Sequence, residues 1–141
     1  MGTLRKFLAL PAPDRTLVLQ ALVAVVNSSI VVHLFPSSYV TSSLRRKQWT
    51  LGTSPRYSVE QIVWSVAAVS NRVPGSSCLV RAIALSRLMF ANGHECRIDI
   101  GVKKSPEGKL AAHAWVQHEG QVILGGEAEE FKVIASFPRV R

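Results

Sequence analysis

Cysteine is scarce in this chain, with two in 141 residues and no CxxC pair. That excludes a disulfide framework, and the lack of any Cys/His cluster at ligand spacing excludes a zinc site. No metal or cofactor is expected, and a reducing cytoplasm is the simplest home. Acids are scarce as well: nine Asp and Glu stand against 17 Lys and Arg, a net charge of +8. The deficit is local. Residues 1–94 carry ten Lys/Arg but only Asp14 and Glu60, and the other seven acids lie between Glu95 and Glu130. A basic N-terminal half implies an acidic partner, whether nucleic acid, membrane surface or acidic peptide. Aromatics make up only 7% of the chain. Without aromatic interleaving or the glycine signatures of common RNA modules, no nucleic-acid partner is expected. There is no internal repeat and no low-complexity segment. What is present is a globular composition, 48% hydrophobic and 18% charged, which excludes a disordered chain. The length suits one domain over 1–141, with a helical part (1–72) followed by a further helix and strands (73–141).

No long apolar run is free of interruption either. Met1–Leu10 is a short amphipathic start; Pro11-Ala-Pro-Asp14 then reads as a stop and a cap, with Asp14 as N-cap of a helix to about Phe35. That helix is roughly long enough to span a bilayer. Gln20, Asn27, Ser28, Ser29 and His33 break it, however, so it is read as a core helix buried on most sides and not as a membrane contact. Asp14 and the two prolines also argue against a signal peptide. Tyr39–Trp49 is polar and contains Arg45-Arg46-Lys47, a solvated face or an electrostatic dock for an acidic leader or partner. After a Gly/Pro/Ser-rich loop, Ser58-Val-Glu-Gln61 is a capping box opening a helix to about Asn71, with Val59, Ile62, Val63, Val66 and Val69 in one stripe.

Val73-Pro-Gly-Ser-Ser-Cys78 then hands the chain to an almost wholly apolar helix closed by Asn92-Gly93. Ser76 or Ser77 is the expected N-cap, which puts Cys78 in the first turn, near the positive end of the helix dipole and unpaired N–H groups. Both favour the thiolate that attacks carbonyls. The pattern next alternates over Cys96–Val102, Leu110–Gln117 and Gln121–Leu124, an antiparallel meander, and an edge strand can follow Phe131. Helices first and strands after give an α+β domain with the sheet packed on the Cys78 helix. His113, in Ala111-Ala-His-Ala-Trp-Val116, lies on a strand of that sheet. A cysteine at a helix N-terminus and a histidine on the sheet packed against it form the Cys–His arrangement of papain-like enzymes. There the imidazole takes the thiol proton and returns it to the leaving amine.

Ser77-Cys-Leu-Val-Arg-Ala-Ile-Ala-Leu85, Asn92-Gly93, His113-Ala-Trp-Val with Gly120, and the opening Phe7-Leu…Asp14-Arg…Leu17–Leu22 together resemble one family. It is the stand-alone leader peptidase of lasso peptide biosynthesis, a member of the transglutaminase-like cysteine protease superfamily. The resemblance covers nearly the whole chain. It implies that Cys78 is the nucleophile and His113 the general base and acid. The implied reaction removes the leader peptide from a ribosomally made precursor, before a separate cyclase closes the macrolactam. The implied partners are that precursor, a small leader-binding protein for which this chain has no room of its own, and the lasso cyclase.

The family supplies an Asp about a dozen residues after the His to orient the imidazole; here that region reads Leu124-Gly-Gly-Glu-Ala128. A three-residue hairpin loop would pair His113 with Gly125 and put Glu127 on the same face, whereas a two-residue loop would pair it with Gly126 and turn Glu127 away. Glu127 or a backbone carbonyl is expected to orient His113. Asp99 is the rival, falling beside Ala114 and facing away unless the register slips by one. Cys96 reads as a buried small residue, His33, His94 and His118 as structural or exposed, and Trp115 as core below His113. The competing readings are a non-catalytic scaffold of the same fold and, less well supported, a basic nucleic-acid-binding domain.

Overall fold

The computed structural model describes residues 2–36, 38–40, 42, 56–126 and 128–137. Arg45-Arg46-Lys47 and Glu127 lie outside the described residues. The described elements run α1 (Gly2–Leu8), α2 (Ala12–Leu34), α3 (Val59–Ser70), α4 (Cys78–Ala91), β1 (Arg97–Lys104), β2 (Leu110–His118), β3 (Gln121–Leu124), a 3-10 turn (Ala128–Glu130) and β4 (Lys132–Phe137). This is an α+β fold with helices packed on a four-stranded antiparallel sheet of order β3-β2-β1-β4.

Local chemistry sets the helix ends. Ser58 accepts from the Gln61 N–H while the Gln61 side chain accepts from the Ser58 N–H, a reciprocal box that opens α3. At α2 the structure corrects the expected cap. The helix starts at Ala12, and Asp14 sits inside its first turn. Pro13 causes this: its fixed φ and missing N–H suit the first turn of a helix, so the helix begins ahead of the acid.

The burial of α2 also departs from expectation. One stripe, Leu17, Ala21, Val25 and Ser28, is buried. Those positions are three or four apart and share a face, which packs on α3 and α4. Leu19, Leu22, Val23, Val26, Ile30 and Leu34 lie on the opposite face and are exposed. The helix is thus apolar on two sides and buried on one, which a periodicity reading takes for burial all round. By length and composition α2 could cross a membrane, although its buried stripe belongs to the core.

The sheet face against the helices carries Ile98, Ala114, Val116 and Phe137, all in the main core with Ile83, Leu85 and Met89 of α4. The register Ile100↔Ala114, Asp99↔Trp115 and Gly101↔His113 puts Asp99, Trp115 and His113 together on the other face. This is the one-residue slip that moves Asp99 from beside Ala114 to beside Trp115. Trp115 is buried but lies outside the main core, in a small cluster on that second face. Its ring fills the space above Gly101, where a Cβ would meet Trp115 Cη2 at 2.7 Å and Phe131 Cβ at 2.9 Å.

Candidate active site

Cys78 is the first residue of α4, and Ser77 caps the helix by accepting from the Val80 N–H. A cysteine at that position keeps its own backbone N–H free of the helix ladder, where it can donate to a developing oxyanion. The thiol is partly exposed and free, whereas Cys96 is buried. Burial pushes the Cys96 thiol up to about 11. The accessible thiol of the pair is therefore Cys78.

His113 reaches the site from β2. Its ring stacks on Trp115 with centroids 5.9 Å apart and meets Phe131 at 5.1 Å. Its Nε2 lies 2.7 Å from the Gly125 carbonyl oxygen. A carbonyl only accepts, so Nε2 carries the hydrogen, and the neutral ring presents its lone pair at Nδ1. Cys78 and His113 line one open cleft of about 330 Å³ together with Ser76, Arg81, Ala114, Leu124 and Gly125. Among the described residues no hydrogen bond joins thiol and imidazole. In a free enzyme such bonds are often long and tighten only when substrate is bound.

The β2–β3 hairpin explains how a backbone carbonyl comes to face the imidazole. Its loop is the two residues Glu119-Gly120, with His118 paired to Gln121. Both have positive φ (50° and 80°), the signature of a type I′ turn. A register shift at Val116/Gln117 then pairs Val116 with Leu124, and β3 ends there. His113 accordingly has no partner residue in β3, so neither Gly125 nor Gly126 pairs with it as hairpin counting expects. Gly125 turns the chain at φ 84° against the Ala114 and Trp115 backbone, aiming its carbonyl at Nε2.

Asp99 is occupied elsewhere. Its fully buried carboxylate lies 2.9 Å from Arg97 Nε, accepts from Arg97 Nη2 at 3.1 Å, and accepts from Ser136 Oγ at 2.6 Å. The slipped register does bring it to the His113 face, but its hydrogen bonds tie β1 to β4 and include none to the imidazole. Sequence reading allowed for a backbone carbonyl on His113 without naming Gly125 as its source, and it gave Arg81 no role in the cleft. The consecutive Gly125-Gly126 after a strand was the available signal. Arg81, one turn after Cys78, donates from Nε to the Ser76 carbonyl at 3.1 Å. Among the described residues no His/Cys/Asp/Glu group could hold a metal ion.

Comparison with known proteins adds one finding. Residues 22–136 match the family model described as the transglutaminase-like superfamily. No curated protein and no solved structure matches the chain.

Proposed function

We propose a function from one premise: the chain belongs to the transglutaminase-like superfamily. It acts as a cysteine peptidase that removes the leader from a lasso peptide precursor in the cytoplasm. The observation that carries this reading is the shared cleft, lined both by an accessible thiol at a helix N-terminus and by an imidazole held through Nε2.

The chemistry follows from which nitrogen is free. On substrate binding, His113 Nδ1 takes the Cys78 proton and the thiolate attacks the scissile carbonyl carbon. The resulting oxyanion is met by the Cys78 backbone N–H. Collapse breaks the C–N bond, and the imidazolium gives its proton to the leaving amine, the new N-terminus of the core peptide. Water, deprotonated by His113, then hydrolyses the thioester, releasing the leader as a carboxylate and restoring the thiol. Throughout, the Gly125 carbonyl holds the Nε2–H and stabilises the imidazolium, the part an orienting side chain plays in other triads. A small leader-binding protein delivers the precursor, and the cyclase takes the freed amine.

A second reading, a non-catalytic scaffold of the same fold, is favoured by the absence of a thiol–imidazole hydrogen bond among the described residues. Co-incubation with precursor and leader-binding protein, read by mass spectrometry, separates the two. Peptidase action predicts free leader and core with the wild type and intact precursor with Cys78→Ala. Equal processing by both proteins, or by neither, refutes it.

A further inference from the structure

The loop that presents Cys78 has little to hold it in place. Between the end of α3 and Cys78, no residue from Asn71 to Ser77 is buried. Val73 is partly buried against the core, and hydrogen bonds hold the rest of the loop. Within the loop, Ser77 N–H donates to the Gly75 carbonyl at 2.9 Å and Ser76 Oγ to the Val73 carbonyl at 2.8 Å. From α4, Arg81 holds the Ser76 carbonyl. From the last turn of α2, His33 Nε2 donates to the Gly75 carbonyl at 2.9 Å, across 42 residues of sequence. Gly75 stands at φ 78°, and a Cβ there would lie 3.4 Å from that same Nε2. The ring and the glycine are thus in close apposition.

We infer that His33 is a positioning residue for the nucleophile. It acts through the Gly75 carbonyl, setting the orientation in which Ser77 caps α4 and Cys78 presents its thiol and N–H to the cleft. The inference rests on the proposed peptidase reading. The hydrogen bond is at the surface, and α2 is already anchored by Leu17, Ala21, Val25 and Ser28. Its loss therefore leaves the core intact while loosening the loop three residues before Cys78.

The test compares wild type, His33→Ala and His33→Gln, the last placing an amide N–H near the Nε2 position. Two rates are read: iodoacetamide alkylation at Cys78, resolved by peptide mass, and precursor cleavage in the presence of the leader-binding protein. His33→Ala is expected to lower both alkylation and kcat by roughly three- to tenfold, the range one hydrogen bond is worth. KM should stay within about twofold and the thermal midpoint close to wild type, while His33→Gln should recover most of the rate. Wild-type rates in His33→Ala, or a glutamine variant as slow as the alanine one, overturn the inference. Should His33→Ala fail to fold, His33→Asn, whose amide falls short of Gly75, takes its place with the same expectations. The alkylation arm does not depend on a peptide substrate. A wild type that cleaves nothing therefore counts against the peptidase reading, and the His33 comparison still decides the positioning role.

Discussion

Replacing Gly125 with alanine tests the central feature of the site. At φ 84° an L-residue costs about 1–2 kcal/mol. The new Cβ would also lie 2.9 Å from the Ala114 carbonyl oxygen, 3.0 Å from Trp115 Cβ and 3.1 Å from Trp115 Cα. Two of these three are backbone atoms of β2, which yield only if the strand or the turn moves; overpacking of this kind costs about 1–3 kcal/mol. Gly125→Ala should therefore lose about 3 kcal/mol of stability, and in a chain of this size the melting temperature should fall by roughly 10 °C. The same displacement carries the Gly125 carbonyl away from His113 Nε2, now 2.7 Å distant. Cleavage by the folded fraction should drop about tenfold or more, the loss expected when a catalytic base is no longer oriented. Gly126→Ala is the control: nothing lies within 4 Å of its added Cβ. It should stay within about 0.5 kcal/mol of wild type. Urea unfolding monitored by circular dichroism, with cleavage normalised to folded protein, reads both quantities. Wild-type stability and activity in Gly125→Ala would refute the assignment of its carbonyl as the group that orients the imidazole.

Other expectations follow from the two cysteines and the buried acid. Iodoacetamide at pH 8 should label Cys78 at least about a hundredfold faster than Cys96, because Cys96 is buried with its thiol pushed up to about 11 and only about one in a thousand is thiolate at that pH. Peptide mapping over time checks this, and comparable rates would show that Cys96 is not enclosed. The same raised value links to stability. An unfolded Cys96 ionises near 9.0 and the folded one near 11, so stability is fully present below pH 9 and falls as pH rises toward 11. The loss reaches about 2–3 kcal/mol at most, and denaturation across that range should show this part of the slope vanish in Cys96→Ala. Asp99→Asn should weaken the tie between β1 and β4 by about 1–3 kcal/mol, since Arg97 is half-exposed. Cleavage per folded molecule should remain near wild type; abolished cleavage in a folded Asp99→Asn protein would make Asp99 the orienting group.

Of the two groups expected to orient His113, Glu127 or a backbone carbonyl, the described residues supply the carbonyl, for a physical reason. Residue counting along a hairpin assumes an unbroken ladder, but the shift at Val116/Gln117 and the end of β3 at Leu124 break it opposite His113. The group that meets Nε2 is then a main-chain carbonyl, which no residue type announces. Glu127, the favoured side chain, falls outside the described residues.

The sequence by itself determined whatever is settled within one turn of chain. The capping box Ser58–Gln61, a serine cap (Ser76 or Ser77) that leaves Cys78 in the first turn of its helix, and the Asn92-Gly93 stop all depend on neighbours three or four residues away. Tertiary structure decided the rest. Which of two apolar faces of α2 is buried depends on where α3 and α4 pack, because both faces satisfy the helical period. Whether Asp99 shares a face with Ala114 or with His113 depends on a single residue of register, and in a strand one residue reverses every side chain.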